Sequence, residues 1–293
     1  MQKTFQFNFS NKKYIFNYQI IQNENSNNFI LFLHGLGCSS KYYLQEEIVL
    51  NSFPNSNLIF YDFIGHGINC KNEEIINEKE SKLFEMENQA YIVENLLSIY
   101  SSKLEKLTII AHSMGGAIAI LAINQMIQKQ SKKFPIFSKG VFFNIEGNLI
   151  AEDCGIITEQ TIDLFSQNPE KFSEENINNL IKNACDSEIS KKWIEMAKLV
   201  QKDFWVNSVK SLEYWSKNGD LFSKFIEINE SSLWKVYYVY GEKSSGNLTK
   251  LKELLLNSEI SLIVIPESGH FPMFENGKYF YEKIRGKIKE NLN

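Results

Sequence analysis

The residues best spaced for chemistry lie between Leu107 and Ala119, LTIIAHSMGGAIA. Leu107-Thr108-Ile109-Ile110 is a short apolar run that reads as a buried strand, and Ala117 to Ala122 starts a helix. Between them stand Ala111-His112-Ser113-Met114-Gly115-Gly116. A strand, a small residue, any residue, a serine, any residue, a glycine and a helix make the pattern of a nucleophile elbow. The turn is so tight that side chains two positions either side of the serine must be nearly absent, and those positions hold Ala111 and Gly115. Alanine in place of glycine at the first is a small departure that such a turn tolerates. The turn lifts the Ser113 hydroxyl off the sheet edge and aims the backbone N–H of Met114 and a helix N-terminus at the same spot. A serine hydroxyl is a poor nucleophile at neutral pH. It needs a base within hydrogen-bond reach, and the base needs a carboxylate to fix its tautomer and stabilise the imidazolium.

The elements that would position such a group can be read in order. Phe5 to Phe9 alternates apolar and polar residues, and Tyr14 to Ile21 follows a short polar turn, so the pair reads as an antiparallel edge. Phe29 to Leu33 is a continuous apolar run, as expected of a strand buried on both faces. Further strands are predicted at Asn57–Tyr61, Gly140–Ile145, Trp234–Tyr240 and Ser261–Ile265. Helices are predicted over Glu85–Tyr100, from the elbow to about Lys129, over Leu248–Leu256 and over Phe274–Ile288. Residues Asn69–Ser81 read as an exposed polar loop. From Leu149 to Ser232 the strand–helix alternation stops, and helices with polar connections carry Trp193, Trp205 and Trp215.

On the elbow and this order of elements, which extends along most of the chain, the sequence resembles the α/β-hydrolase fold family. The resemblance implies a mostly parallel eight-stranded sheet flanked by helices. It implies a core domain over residues 1–148 and 233–293, with a helical cap, residues 149–232, inserted between strands six and seven. It implies that the turn His34-Gly35-Leu36-Gly37 supplies half of an oxyanion hole, formed by the backbone N–H groups of Leu36 and Met114. Asp62-Phe63-Ile64-Gly65-His66-Gly67 is similar to the family's turn after strand four, an element that shapes the loop. Ser268-Gly269-His270 matches the loop of the family's catalytic histidine, which makes His270 the general base.

The third group departs from the usual pattern. Where the family places an aspartate after strand seven, Gly241-Glu242-Lys243 is followed by Ser244. Some members carry the acid after strand six instead, where this chain has Glu146. Glu146 is the expected acid and Glu242 the alternative. The reaction implied is hydrolysis of a carboxylic ester or thioester of a small, partly apolar substrate through Ser113, His270 and Glu146. The alternatives are an acyltransferase on the same residues and a ligand-binding protein with little turnover.

Bulk properties narrow the classes. At 293 residues with 43% apolar and 13% aromatic content, the chain can bury a large core and is not compositionally disordered. The net charge of −4 gives no electrostatic case for nucleic acid. Cys38, Cys70, Cys154 and Cys185 have neither paired nor metal-ligand spacing and read as free thiols. The four histidines all sit within turn motifs, so no metal or organic cofactor is implied. The first residues lack an apolar signal region, and no apolar run approaches the roughly 18 residues of a membrane span. The expected location is the cytoplasm and the expected partner a small acyl substrate; nothing in the sequence sets the oligomeric state.

Overall fold

The computed structural model describes residues 1–42, 46–70, 82–129, 138–152, 187–200, 202–218, 220–244 and 248–292. Its strands are β1 (Gln2–Phe9), β2 (Lys12–Ile21), β3 (Asn28–Leu33), β4 (Asn57–Tyr61), β5 (Lys106–His112), β6 (Lys139–Ile145), β7 (Trp234–Gly241) and β8 (Ser261–Ile265). The helices are α1 (Glu46–Ser52), α2 (Met86–Ser98), α3 (Met114–Lys129), α4 (Ser187–Ala197), α5 (Lys202–Lys217), α6 (Asp220–Glu230), α7 (Leu248–Asn257), α8 (Pro272–Glu275) and α9 (Gly277–Leu292). All the strands join one sheet in the order β1-β2-β4-β3-β5-β6-β7-β8. The β1-β2 and β2-β4 pairs are antiparallel. Every other pair is parallel.

Side-chain alternation explains the layers. In β1, Phe5 and Phe7 are buried between exposed Gln6 and Asn8, so one face of this edge meets water. The central strands are apolar at successive positions because helices cover both faces. Leu31, Ile109, Phe142 and Tyr238 point into one core, with residues of α2, α3 and α6. Ile30, Ile110, Phe143 and Val239 point into the other, with residues of α1 and α9. Phe142 lies edge-on to Phe225 of α6, and its truncation to alanine should cost about 3–5 kcal/mol.

Parallel strands put all their carboxyl ends at one edge of the sheet. The loops that leave β3, β4, β5, β6, β7 and β8 therefore gather there, where ligands bind in open α/β sheets. The structure differs from the sequence reading at several points; Asn69, expected to begin an exposed loop, is buried and donates to the Asn17 and Asp62 carbonyls. Helix α1 was not expected, because seven residues are too few to display a helical period. The expected C-terminal helix is interrupted at Asn276, whose φ of −136° and ψ of 56° leave the helical region between α8 and α9. The expected cap range is not uniform. Leu221, Phe225 and Ile228 of α6 belong to the main core beside the sheet, whereas Trp205 of α5 packs with Leu36 and Trp193 above the strand ends. Residues 71–81 of the expected polar loop and 153–186, 201 and 219 of the expected cap lie outside the described residues. So do Cys154 and Cys185; Cys38 is buried and free. Among the described residues, no helix is long and apolar enough to cross a membrane.

Candidate active site

Ser113 stands alone between β5 and α3, with a left-handed φ of 51°. A non-glycine residue in this region typically costs about 1–3 kcal/mol, so its surroundings must hold it there. The Ser113 N–H donates to the Ile145 carbonyl at 2.9 Å, and the Gly116 N–H donates to the Ser113 carbonyl at 2.8 Å. The small neighbours are required by packing. A Cβ on Gly115 would come within 2.5 Å of the His34 carbonyl oxygen and 2.8 Å of that of Leu33. A Cβ on Gly35 would meet the His112 ring at 2.8 Å and the Ser113 Cβ at 3.0 Å. The loop after β3 thus rests directly on the elbow.

That loop is held by neutral histidines. The Gly35 carbonyl accepts from His34 Nδ1 at 2.8 Å and from the Cys38 N–H at 3.1 Å. These bonds fix the Gly35–Leu36 peptide plane, and a trans peptide then points the Leu36 N–H the opposite way. Nε2 of His34 accepts the Phe63 N–H at 3.0 Å, which sets the tautomer. His66 donates from Nδ1 to the Ile64 carbonyl at 2.9 Å and accepts the Gly37 N–H at 3.3 Å. Burial lowers the pKa of His34 to about 4 and that of His66 to about 3, so both are uncharged at neutral pH. Asp62 accepts the N–H groups of Ser40 and Ile68, in keeping with a loop-shaping turn. Neither Leu36 nor Met114 donates its N–H to another backbone group among the described residues.

His270 lies in the loop after β8. Its Nδ1 donates to Oε2 of Glu146 at 2.9 Å, which makes Nε2 the acceptor nitrogen of the neutral ring. The imidazole is 45% exposed, whereas the Glu146 side chain is 7% exposed. Glu146 follows β6 and also has a left-handed φ, 46°. Its N–H donates to the Val239 carbonyl at 2.9 Å, and its Oε1 accepts the Gly241 N–H at 2.8 Å. Its Oε2 accepts a hydrogen bond from Ser244 Oγ at 2.6 Å. Glu242 turns elsewhere: its carboxylate accepts the Glu267 N–H at 3.1 Å. His112, next to Ser113 in the chain, donates from Nε2 to the His270 carbonyl at 2.8 Å, and the two rings lie 4.6 Å apart. Burial holds His112 well below the ordinary histidine pKa, so it serves as an uncharged brace. The serine turn follows β5, and the bonded pair of exposed imidazole and buried carboxylate joins the ends of β8 and β6 at the same sheet edge.

A family model described as the alpha/beta hydrolase family matches residues 30–283. The chain belongs to the alpha/beta hydrolase family. The solved structures it resembles include a carboxylesterase of the thaumarchaeon Nitrososphaera gargenis, at 17% identity and a TM-score of 0.70 over 97% of each chain. They include a thermophilic esterase from Thermogutta terrifontis, at 13% identity and a TM-score of 0.72 over 98% of each chain. A lipase-esterase related protein from Clostridium acetobutylicum shares 20% identity and a TM-score of 0.65, over 92% of this chain and 98% of that one. At these identities the likeness is one of fold. No curated protein matches the chain. Family membership makes it a hydrolytic enzyme in the coarse sense.

In this hydrolase, α4 and α5 sit on the loops that frame the serine. Trp193 Nε1 donates to the Leu36 carbonyl at 3.2 Å. The Trp193 and Trp205 rings are 6.0 Å apart, edge to face, and both crowd Gly37, whose φ is 70°. Phe204 lies over Gly65 and 3.8 Å from the Phe84 ring centroid. Ile189 packs with Cys38, and Phe271 and Phe274 border that cluster. The contacts between these helices and the loops at the strand ends are therefore largely apolar.

The sequence reading chose Ser113, His270, Glu146, Leu36 and Met114, and each lies at this edge. It missed what supports them. Ser244 was read only as a missing aspartate, although a hydroxyl one turn beyond β7 is a ready donor to an acid beside it. The bracing roles of His34, His66 and His112 depend on burial and on partners up to 158 residues away, as in the bond from His112 to His270.

Proposed function

We propose that the chain is a serine hydrolase that cleaves a carboxylic ester or thioester of a small, partly apolar substrate through Ser113, His270 and Glu146. The observation that carries this reading is the 2.9 Å contact between Glu146 Oε2 and His270 Nδ1, at the strand end next to the left-handed Ser113. His270 Nε2 takes the Ser113 proton as Oγ attacks the carbonyl carbon, and Glu146 stabilises the imidazolium that forms. The oxyanion is held by the N–H groups of Leu36 and Met114, each typically worth about 3–4 kcal/mol in such sites. His270 then protonates the leaving oxygen or sulfur, leaving Ser113 acylated. Water, deprotonated by His270, attacks the acyl-enzyme, and the proton returns to Ser113 as the acid departs.

In this reading α4 and α5, which pack Trp193, Trp205 and Phe204 against the loops at Gly37 and Gly65, belong to the cap over the acyl group. The reading needs no metal or organic cofactor. The test is a panel of p-nitrophenyl esters of graded chain length, with Ser113→Ala and Glu146→Gln beside the native protein. Both variants should lose at least about a thousandfold in kcat while keeping the native fold by circular dichroism. Near-native turnover by Ser113→Ala overturns the nucleophile, and near-native turnover by Glu146→Gln overturns the acid. Weighing products with and without added alcohols separates hydrolysis from acyl transfer.

A further inference from the structure

We infer that Ser244 is a positioning residue of the catalytic centre, acting through Glu146. The inference rests on the reading of Glu146 as the acid that serves His270. A glutamate has one more rotatable bond than an aspartate, and Glu146 must reach from the end of β6 across to a loop after β8. Its carboxylate holds one orientation because donors occupy both oxygens. The Gly241 N–H takes Oε1 at 2.8 Å. On Oε2 the Ser244 hydroxyl, at 2.6 Å, sits beside His270 Nδ1, at 2.9 Å. Gly241 ends β7 and Ser244 lies in the turn that follows, where the Ser244 N–H donates to the Gly241 carbonyl at 3.0 Å. The turn is a two-point clamp on a carboxylate that arrives from the neighbouring strand.

The clamp has a defined chemical role. With Gly241 alone, the carboxylate could rotate about its terminal bond and turn Oε2 away from the imidazole. The Ser244 hydroxyl opposes that rotation, since turning would leave a half-buried donor and a buried acceptor unpaired. Gly241 cannot take over this role, because its backbone is fixed: a Cβ there would come within 2.1 Å of the Gly269 carbonyl and 2.4 Å of that of Ser268. The hydrogen bonds of Ser244 go to Glu146 and Gly241, so its effect should fall on turnover and not on substrate binding.

The experiment compares native protein, Ser244→Ala, Ser244→Thr, Glu146→Gln and the Glu146→Gln/Ser244→Ala pair. It reads kcat and KM on p-nitrophenyl acetate, together with the rate at which a fluorophosphonate labels Ser113. Ser244→Ala should lower kcat and the labelling rate by roughly tenfold, with KM within about twofold of native. Ser244→Thr, which keeps the hydroxyl, should recover most of the loss. In the Glu146→Gln background, Ser244→Ala should add less than about a twofold further loss, because coupled residues are not additive. Native kcat and labelling in Ser244→Ala overturn the inference, as does an equal loss in both backgrounds. If Glu146→Gln is inactive while Ser244→Ala is native, only the role of Ser244 falls. If Glu146→Gln itself turns over at the native rate, the triad reading falls first.

Discussion

Ser113 and Glu146 end neighbouring parallel strands, β5 and β6, and both leave the sheet in the left-handed conformation, with φ of 51° and 46°. The means of support differ. Ser113 leans first on its own neighbourhood, where Ala111 and Gly115 are small and Gly116 closes the turn onto the Ser113 carbonyl, with one backbone bond to Ile145 of β6. Glu146 is held from afar, by Val239 and Gly241 of β7, Ser244 beyond it, and His270 after β8. In the proposed roles of the two residues, a nucleophile must present one short side chain at a fixed height, which a tight bend achieves locally. An acid must bridge to a histidine on another loop, and only long-range partners can aim it.

The sharpest way to break this comparison is to remove the groups proposed to react. Ser113→Ala should abolish turnover, and Glu146→Gln should lower kcat by roughly 10³–10⁴-fold, since a neutral amide cannot stabilise an imidazolium. Steady-state kinetics on p-nitrophenyl esters would show it. The next step attacks each support. Gly115→Ala drives a methyl group into the His34 and Leu33 carbonyls, and Gly241→Ala drives one into the Gly269 and Ser268 carbonyls. Each should cost about 2–4 kcal/mol of stability in a denaturant titration, by forced overpacking against backbone. Only the first should displace the serine itself.

A smaller effect comes from the buried histidines. His34 and His66 have folded pKa values lowered to about 4 and about 3, below the ordinary 6.5 of the unfolded chain. Between those values the unfolded state binds more protons, so stability is complete above pH 6.5 and is lost as pH falls toward 4. Each should remove about 2 kcal/mol at pH 5 relative to pH 7.5. His112, lowered by burial as well, adds in the same direction. Asp62, raised by burial, works the opposite way and reduces the sum. Thermal midpoints at the two pH values measure the net loss, and a midpoint unchanged at pH 5 would contradict the neutral brace. The smallest effect is expected for Glu242→Gln, whose exposed carboxylate faces the Glu267 N–H and not His270. Its kcat should stay within about twofold of native, since exposed polar contacts of this kind are worth little.

Much of the frame was legible from one chain because its signals are local. The apolar runs at Phe29–Leu33 and Leu107–Ile110 mark buried strands, and the structure places them side by side at the centre of the sheet. Helix α1 was not legible, because it is held by packing against α9 in place of a strong period of its own. The break at Asn276 was hidden for a similar reason: Phe280 and Ile284 continue a helical spacing across it.

The amino-acid order by itself determined the bend at Ser113, the glycine loop at Gly35 and the histidine at the end of the last strand. Each of these depends on the size and conformational freedom of residues only a few positions apart. Tertiary structure decided the direction of Glu146, the turning away of Glu242, the neutral state of His34, His66 and His112, and the hydroxyl that Ser244 offers. Those depend on burial and on hydrogen bonds between loops brought together by parallel strands, which no spacing along the chain encodes.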